Sequence, residues 1–216
     1  MVKLVLNDQH LDSALREVLE NCRHRLFIAT ADVKELHVPG GVGGAVGMPA
    51  RISNDEICGG MAPAHCRKQR GSGTRRTCGT RRMRNSARSI VDVFEELGGR
   101  GIEVRLLHSG VPSGPFLGRL KEGVPDGLTM RRCPRTHIKT LVADGKLMYL
   151  GSANLTGAGL GAKSARRRNF EGGIWTDEIP LIDSVVDMLE EIWSGQRCKD
   201  CGRKDYCPVP LEEPEL

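Results

Sequence analysis

His137 and Lys139 are the residues from which a chemistry can be argued. They stand two apart in a β-branched and apolar run, so on a strand their side chains leave from one face while Ile138 points to the core. Asp144-Gly145 is a hairpin signal. It turns the chain back through the apolar stretch 147–150 to a small-residue corner, Gly151-Ser152-Ala153-Asn154. Such a hairpin returns Ser152 and Asn154 towards His137 and Lys139. The set combines a nucleophile or base, a fixed cation, a hydroxyl and a carboxamide. Around a phosphodiester, imidazole can attack phosphorus while ammonium, amide and hydroxyl groups hold the non-bridging oxygens as charge builds up. The arrangement requires no metal.

That spacing, His-x-Lys-x4-Asp-x6-Gly-Ser-x-Asn, resembles the signature of the phospholipase D superfamily, and every position of it is filled. Downstream, Asn169-Phe170-Glu171 is similar to the family's Asn-x-Glu element, which implies that the Glu171 carboxylate orients the catalytic imidazole. The resemblance also implies an α/β fold, a mixed sheet flanked by helices in a phospholipase D-like sandwich. Members need two such histidines, one attacking phosphorus and one protonating the leaving oxygen. A chain with one motif therefore implies an isologous homodimer with the site on its two-fold axis. In that arrangement His137 forms a covalent phosphohistidine, Lys139 and Asn154 neutralise the equatorial oxygens, and Ser152 adds a hydrogen bond. Asp144 belongs to the same motif, and its place on the turn gives it the task of holding the loop.

These residues need a frame, and the chain is long enough for one. With 216 residues and 39% hydrophobic content it can bury one sizeable core, a catalytic domain over 1–194 followed by a Cys-rich tail over 195–216. Residues 4–6 read as a short strand, Asn7 or Asp8 as a helix cap, and Leu11, Leu15, Val18, Leu19 and Cys22 as one helical stripe. A strand is expected over 25–31. A helix runs through Ile90, Val91, Phe94 and Leu97 to Gly98-Gly99, and a strand over 102–107 follows it. His108 closes that strand, where a structural role is the plainer reading. A short helix and loop over 112–125, a strand over 128–133, the hairpin, a loop or short helix over 155–168 and a strand over 170–176 complete the domain. Leu181, Val185, Met188, Leu189 and Ile192 form the apolar face of a last helix ending near Gly195, with Trp193 in the core.

Between about 38 and 86 the periodicity stops and the sequence turns to Gly, Arg and scattered Cys. Arg67, Lys68, Arg70, Arg75, Arg76, Arg81, Arg82, Arg84 and Arg88 have no acidic residue among them, the composition of an arm that attracts phosphates. A solvated disordered loop has the same composition. A stretch outside the native reading frame would also break the pattern this abruptly at both ends.

The tail carries Cys198-x2-Cys201-x5-Cys207-Pro208. With no signal peptide at the start of the sequence, this spacing points to metal rather than disulfides. It resembles the C-terminal part of the iron–sulfur staple of RecB-like and CRISPR-adaptation nucleases, which implies a distant fourth cysteine, Cys22 or Cys133. Zinc suits the same donors, and Cys22 also has a plain place in its helical stripe.

No apolar run approaches the roughly 20 residues of a membrane span, so a soluble, cytoplasmic protein is expected. A formal net charge of +5 and the cysteine pattern favour nucleic acid as the substrate, giving a metal-independent nuclease. A phospholipid headgroup is the alternative substrate, although no amphipathic or aromatic membrane-facing segment accompanies it. A non-catalytic nucleic-acid-binding module is the reading from a different class, against which the intact His137, Lys139, Ser152 and Asn154 stand.

Overall fold

A computed structural model describes residues 1–38, 88–214 and 216. They belong to one compact unit, Met1–Gly44 with Asn85–Leu216, which includes the Cys-rich tail. The basic-arm, disordered-loop and reading-frame interpretations of 38–86 fall almost wholly outside the described residues.

Alternating apolar strands build the sheet. In order along the chain they are β1 (Val2–Leu6), β2 (Arg25–Thr30), the two-residue β3 (His37–Val38) and β4 (Arg88–Ser89), and β5 (Glu103–His108). They continue with β6 (Leu128–Arg132), β7 (Lys139–Ala143), β8 (Leu147–Gly151) and β9 (Gly172–Thr176). The main sheet has seven strands in the order β1-β9-β8-β7-β2-β5-β6. Its β2-β5-β6 side is parallel and the remainder antiparallel. β3 and β4 pair with each other, closing the base from which the undescribed segment leaves and to which it returns.

Strands β2, β5, β7 and β8 feed two cores, because successive side chains leave opposite faces. Leu26, Ile28, Val104, Leu106, Leu141 and Tyr149 face one side. There they meet α1 (Glu17–Asn21, continuing a π-helical His10–Arg16), α2 (Ile90–Gly99) and α3 (Gly114–Glu122). Phe27, Ala29, Leu107, Val142 and Met148 face the other, covered by α4 (Ile179–Trp193). The result is the expected α/β layering of a mixed sheet between helices. α2 starts at a capping box: Val91 N donates to Ser89 Oγ and Ser89 N to Asp92 Oδ2, both at 3.0 Å. No helix among the described residues is long and apolar enough to cross a membrane.

α4 keeps most of the expected stripe, with Val185, Leu189, Ile192 and Trp193 in the second core. Ile182, Leu189 and Trp193 are its buried residues, whereas Leu181 and Met188 are exposed. Trp193 meets Phe27 edge to face at 5.4 Å. Arg131 stacks over the same indole at 4.8 Å and donates to the Trp193 carbonyl at 2.6 Å.

Candidate active site

The carboxyl ends of the parallel strands β2 and β5 and the open end of the β7–β8 hairpin meet on one edge of the sheet. The hairpin forms as its sequence requires. Asp144 and Gly145 take φ of 54° and 65°, the left-handed conformation of a primed turn, and Lys146 N donates to Ala143 O at 2.9 Å. Lys139 then pairs with Gly151, which brings the glycine-serine corner back beside the start of β7.

His137 lies just before β7 rather than within it, and its imidazole is exposed. Lys139 is buried, and its ammonium folds back over the histidine. Nζ donates to the His137 carbonyl at 2.7 Å and stands 3.2 Å from Nε2 and 3.3 Å from Nδ1. Burial lowers the Lys139 pKa, an effect that the Glu171 carboxylate opposes. The lysine is therefore held near the imidazole by backbone and burial, not by a formal ion pair.

Asn154 is fixed from a distant strand. Its Oδ1 accepts from Asp32 N at 3.2 Å and shares the Thr30 hydroxyl proton, at 3.2 Å, with the Asp32 carbonyl at 3.0 Å; the same Thr30 hydroxyl accepts from Leu155 N at 3.1 Å. With its oxygen tied down, the NH2 end is the part of the carboxamide left to bind an anion. Thr30, buried at the end of β2, is a positioning residue that the motif spacing does not reveal. The general rule that ligands sit at the carboxyl ends of parallel strands is the signal that could have found it.

Ser152 and Glu171 form a second pair. Ser152 Oγ donates to Glu171 Oε2 in a short contact, Asn169 Nδ2 donates to Oε1 at 3.0 Å, and Gly172 N donates to Ser152 Oγ at 3.1 Å. Asn7 clamps the Glu171 backbone, donating to its carbonyl at 2.9 Å and accepting from its N–H at 3.2 Å. Among the described residues Glu171 is engaged by Ser152 and Asn169, one donor on each carboxylate oxygen, and makes no hydrogen bond to the His137 imidazole.

Asp144 is away from this cluster. It occupies the far turn of the hairpin, about 17 Å from Lys139 at the usual strand rise. There it accepts from the backbone N–H groups of Arg23, His24 and Arg25, each at 2.8 Å. Burial would raise its pKa, but those donors outweigh burial and hold the carboxyl below its ordinary value. Asp144 thus has the loop-holding geometry that its turn position implied, and it cannot join the catalytic set in which the motif counted it. His108 is also structural in geometry: it is buried, and its Nδ1 lies 2.8 Å from the Gly110 carbonyl. Burial lowers its pKa.

Of the two candidates for a fourth cysteine, Cys133 lies beside the tail cysteines and Cys22 does not. Cys22 is fully buried in the first core beside Asp144, and its thiol is pushed up to about 12, by burial first and then by that carboxylate. It is the helix-stripe residue. Cys133 instead borders the same cavity as Cys198, Cys201 and Cys207. Burial and the neighbouring Cys133, Cys207 and Cys201 raise the Cys198 thiol.

The sequence of residues 78–193 matches a family model described as "Cardiolipin synthase, PLD-like domain". No curated protein matches the chain. Among solved structures, NucT from Helicobacter pylori is similar at a TM-score of 0.54 and 12% identity, covering 90% of this chain and 96% of its own. Nuc from Salmonella typhimurium, described as a phospholipase D family member, is similar at a TM-score of 0.52 and 10% identity, covering 100% and 99%. At such identities the likeness is one of fold. The family match spans the hairpin with its His-x-Lys and Gly-Ser-x-Asn halves, the Glu171 strand and α4. The chain belongs to the phospholipase D superfamily, whose enzymes act on phosphodiester bonds.

Proposed function

We propose that the chain is a metal-independent nuclease that works as a homodimer through a phosphohistidine. The observation that carries this reading is the exposed His137 imidazole standing against the buried Lys139 ammonium, with Asn154 locked by Thr30. A neutral imidazole nitrogen attacks phosphorus as the bond to the leaving oxygen breaks. The imidazolium of His137 in the second subunit gives that oxygen its proton. The second imidazole, now neutral, takes a proton from water as the water oxygen attacks phosphorus and the P–N bond breaks. Lys139 and Asn154 of both subunits face the equatorial oxygens throughout. Ser152 adds a hydrogen bond, and Glu171 orients the imidazole, here through the serine or across the two-fold axis.

Two features support the dimer and the substrate. On β1, Val2, Leu4 and Leu6 are exposed, Leu4 by 62%, on the sheet face that they share with Ile174 and Leu150. That uncovered apolar strip beside the site is the surface a second copy would bury. Arg166 and Arg167 are exposed on the loop above the site, and Phe170, 96% exposed next to Glu171, offers a ring on which an unpaired base can stack.

A phospholipid headgroup is the second reading, favoured by the lipid enzyme named in the description of the matching family. The experiment that tests the proposal is a denaturing quench of turnover followed by intact-mass and peptide analysis. The expected result is an adduct on His137 of one oligonucleotide fragment linked through its phosphate, none with cardiolipin vesicles, and no adduct in His137→Ala. Turnover by His137→Ala would contradict it.

A further inference from the structure

Four thiols from two distant parts of the chain surround one cavity of about 400 Å³: Cys133, Cys198, Cys201 and Cys207. Cys133 follows β6, where its N–H is tied to the His108 carbonyl at 2.8 Å. The other three come from the turns after α4. Cys198 N donates to Gly195 O at 2.9 Å, Cys201 N to Cys198 O at 3.3 Å and Cys207 N to Lys204 O at 3.2 Å. All four are free thiols, and Met188 and Ile192 of α4 supply an apolar wall. Arg135 and Arg197 also border the cavity, and Arg135 Nη1 lies 3.7 Å from the Cys201 sulfur.

The four thiols and the size of the cavity that they border point to the occupant. A single zinc ion draws its sulfurs to about 2.3 Å from one point. Among the described residues no group of three His, Cys, Asp or Glu side chains is placed to hold one ion. A polynuclear cluster keeps its terminal thiolates farther apart and fills a larger space. Its thiolates also leave a net negative charge, which the flanking guanidinium groups offset.

We propose that Cys133, Cys198, Cys201 and Cys207 ligate a [4Fe–4S] cluster that pins the tail to the segment leading into His137. Ligation releases the proton of each thiol to solvent. The segment 133–137 and the tail would then be joined by metal–sulfur bonds. The cluster is independent of the histidine chemistry, so His137→Ala keeps it.

The test is anaerobic purification of the full chain, with assay of iron and acid-labile sulfide, the visible spectrum and the thermal midpoint. About four irons and four sulfides per chain are expected, retained in Cys22→Ser and lost in Cys133→Ser together with a lower midpoint. If Cys133→Ser does not fold, Cys207→Ser in the tail carries the same expectation. One zinc per chain without sulfide, no bound metal after reconstitution with ferrous iron and sulfide, or full cluster content in both the Cys133→Ser and Cys207→Ser variants would overturn the proposal.

Discussion

Asp144 shows how one side chain can organise a site without taking part in it. Its carboxylate gathers three backbone N–H groups of the loop that launches β2, and β2 ends at Thr30, which holds Asn154. Asp144→Asn keeps a residue tolerant of positive φ but turns an NH2 group towards one of those donors. A loss of about 2 kcal/mol in unfolding free energy is expected, read by urea denaturation. The pH dependence follows from the lowered pKa. The folded state holds the carboxylate deprotonated below the pH at which the unfolded chain protonates, so its stabilisation is complete above the ordinary value of about 3.9. It is lost as pH falls through the folded-state pKa. Unfolding curves at acid pH should therefore show a smaller stability gap between wild type and Asp144→Asn than curves at neutral pH.

At the scale of elements, the glycine corner exists because of Tyr149. The ring is fully buried under β8 and β9, its hydroxyl accepts from Ala153 N at 3.4 Å, and it meets His10 edge to face at 5.4 Å. A Cβ on Gly173 would sit 2.7 Å from the ring and 2.9 Å from the Leu150 carbonyl, and one on Gly151 would strike the tyrosine hydroxyl. Gly173→Ala should therefore cost about 2 kcal/mol, visible as a lowered thermal midpoint, and should also lower turnover by displacing Ser152. The hairpin itself was legible because Asp-Gly dictates a primed turn locally. Most strands were legible too, since apolar alternation is a local signal. What could not be read was the partner of a side chain far along the chain. Thr30 reaches Asn154 across 124 positions, and Cys133 rather than Cys22 meets the tail only once β6 is placed in the sheet. Along α4 the periodicity placed Val185, Leu189, Ile192 and Trp193 correctly, whereas Leu181 and Met188 are exposed, since the helix's partners Phe27 and Arg131 lie on strands remote in sequence.

For the whole molecule, the catalytic proposal needs a second copy. Among the described residues no second imidazole is hydrogen-bonded to His137, and the apolar strip of β1 lies uncovered at the edge of the same sheet. Leu4→Glu should convert a dimer to a monomer in sedimentation and abolish turnover while the far-ultraviolet spectrum is retained, because Leu4 is exposed within one chain and its replacement disturbs no core. An active Leu4→Glu monomer would remove the shared site. The central claim, that His137 cleaves nucleic acid without a catalytic metal, is tested most directly by incubating the purified protein with an end-labelled single-stranded oligonucleotide in excess EDTA, beside His137→Ala. The account predicts cleavage by wild type and none by the variant. Cleavage by both proteins, or none by a folded wild-type dimer, would contradict it.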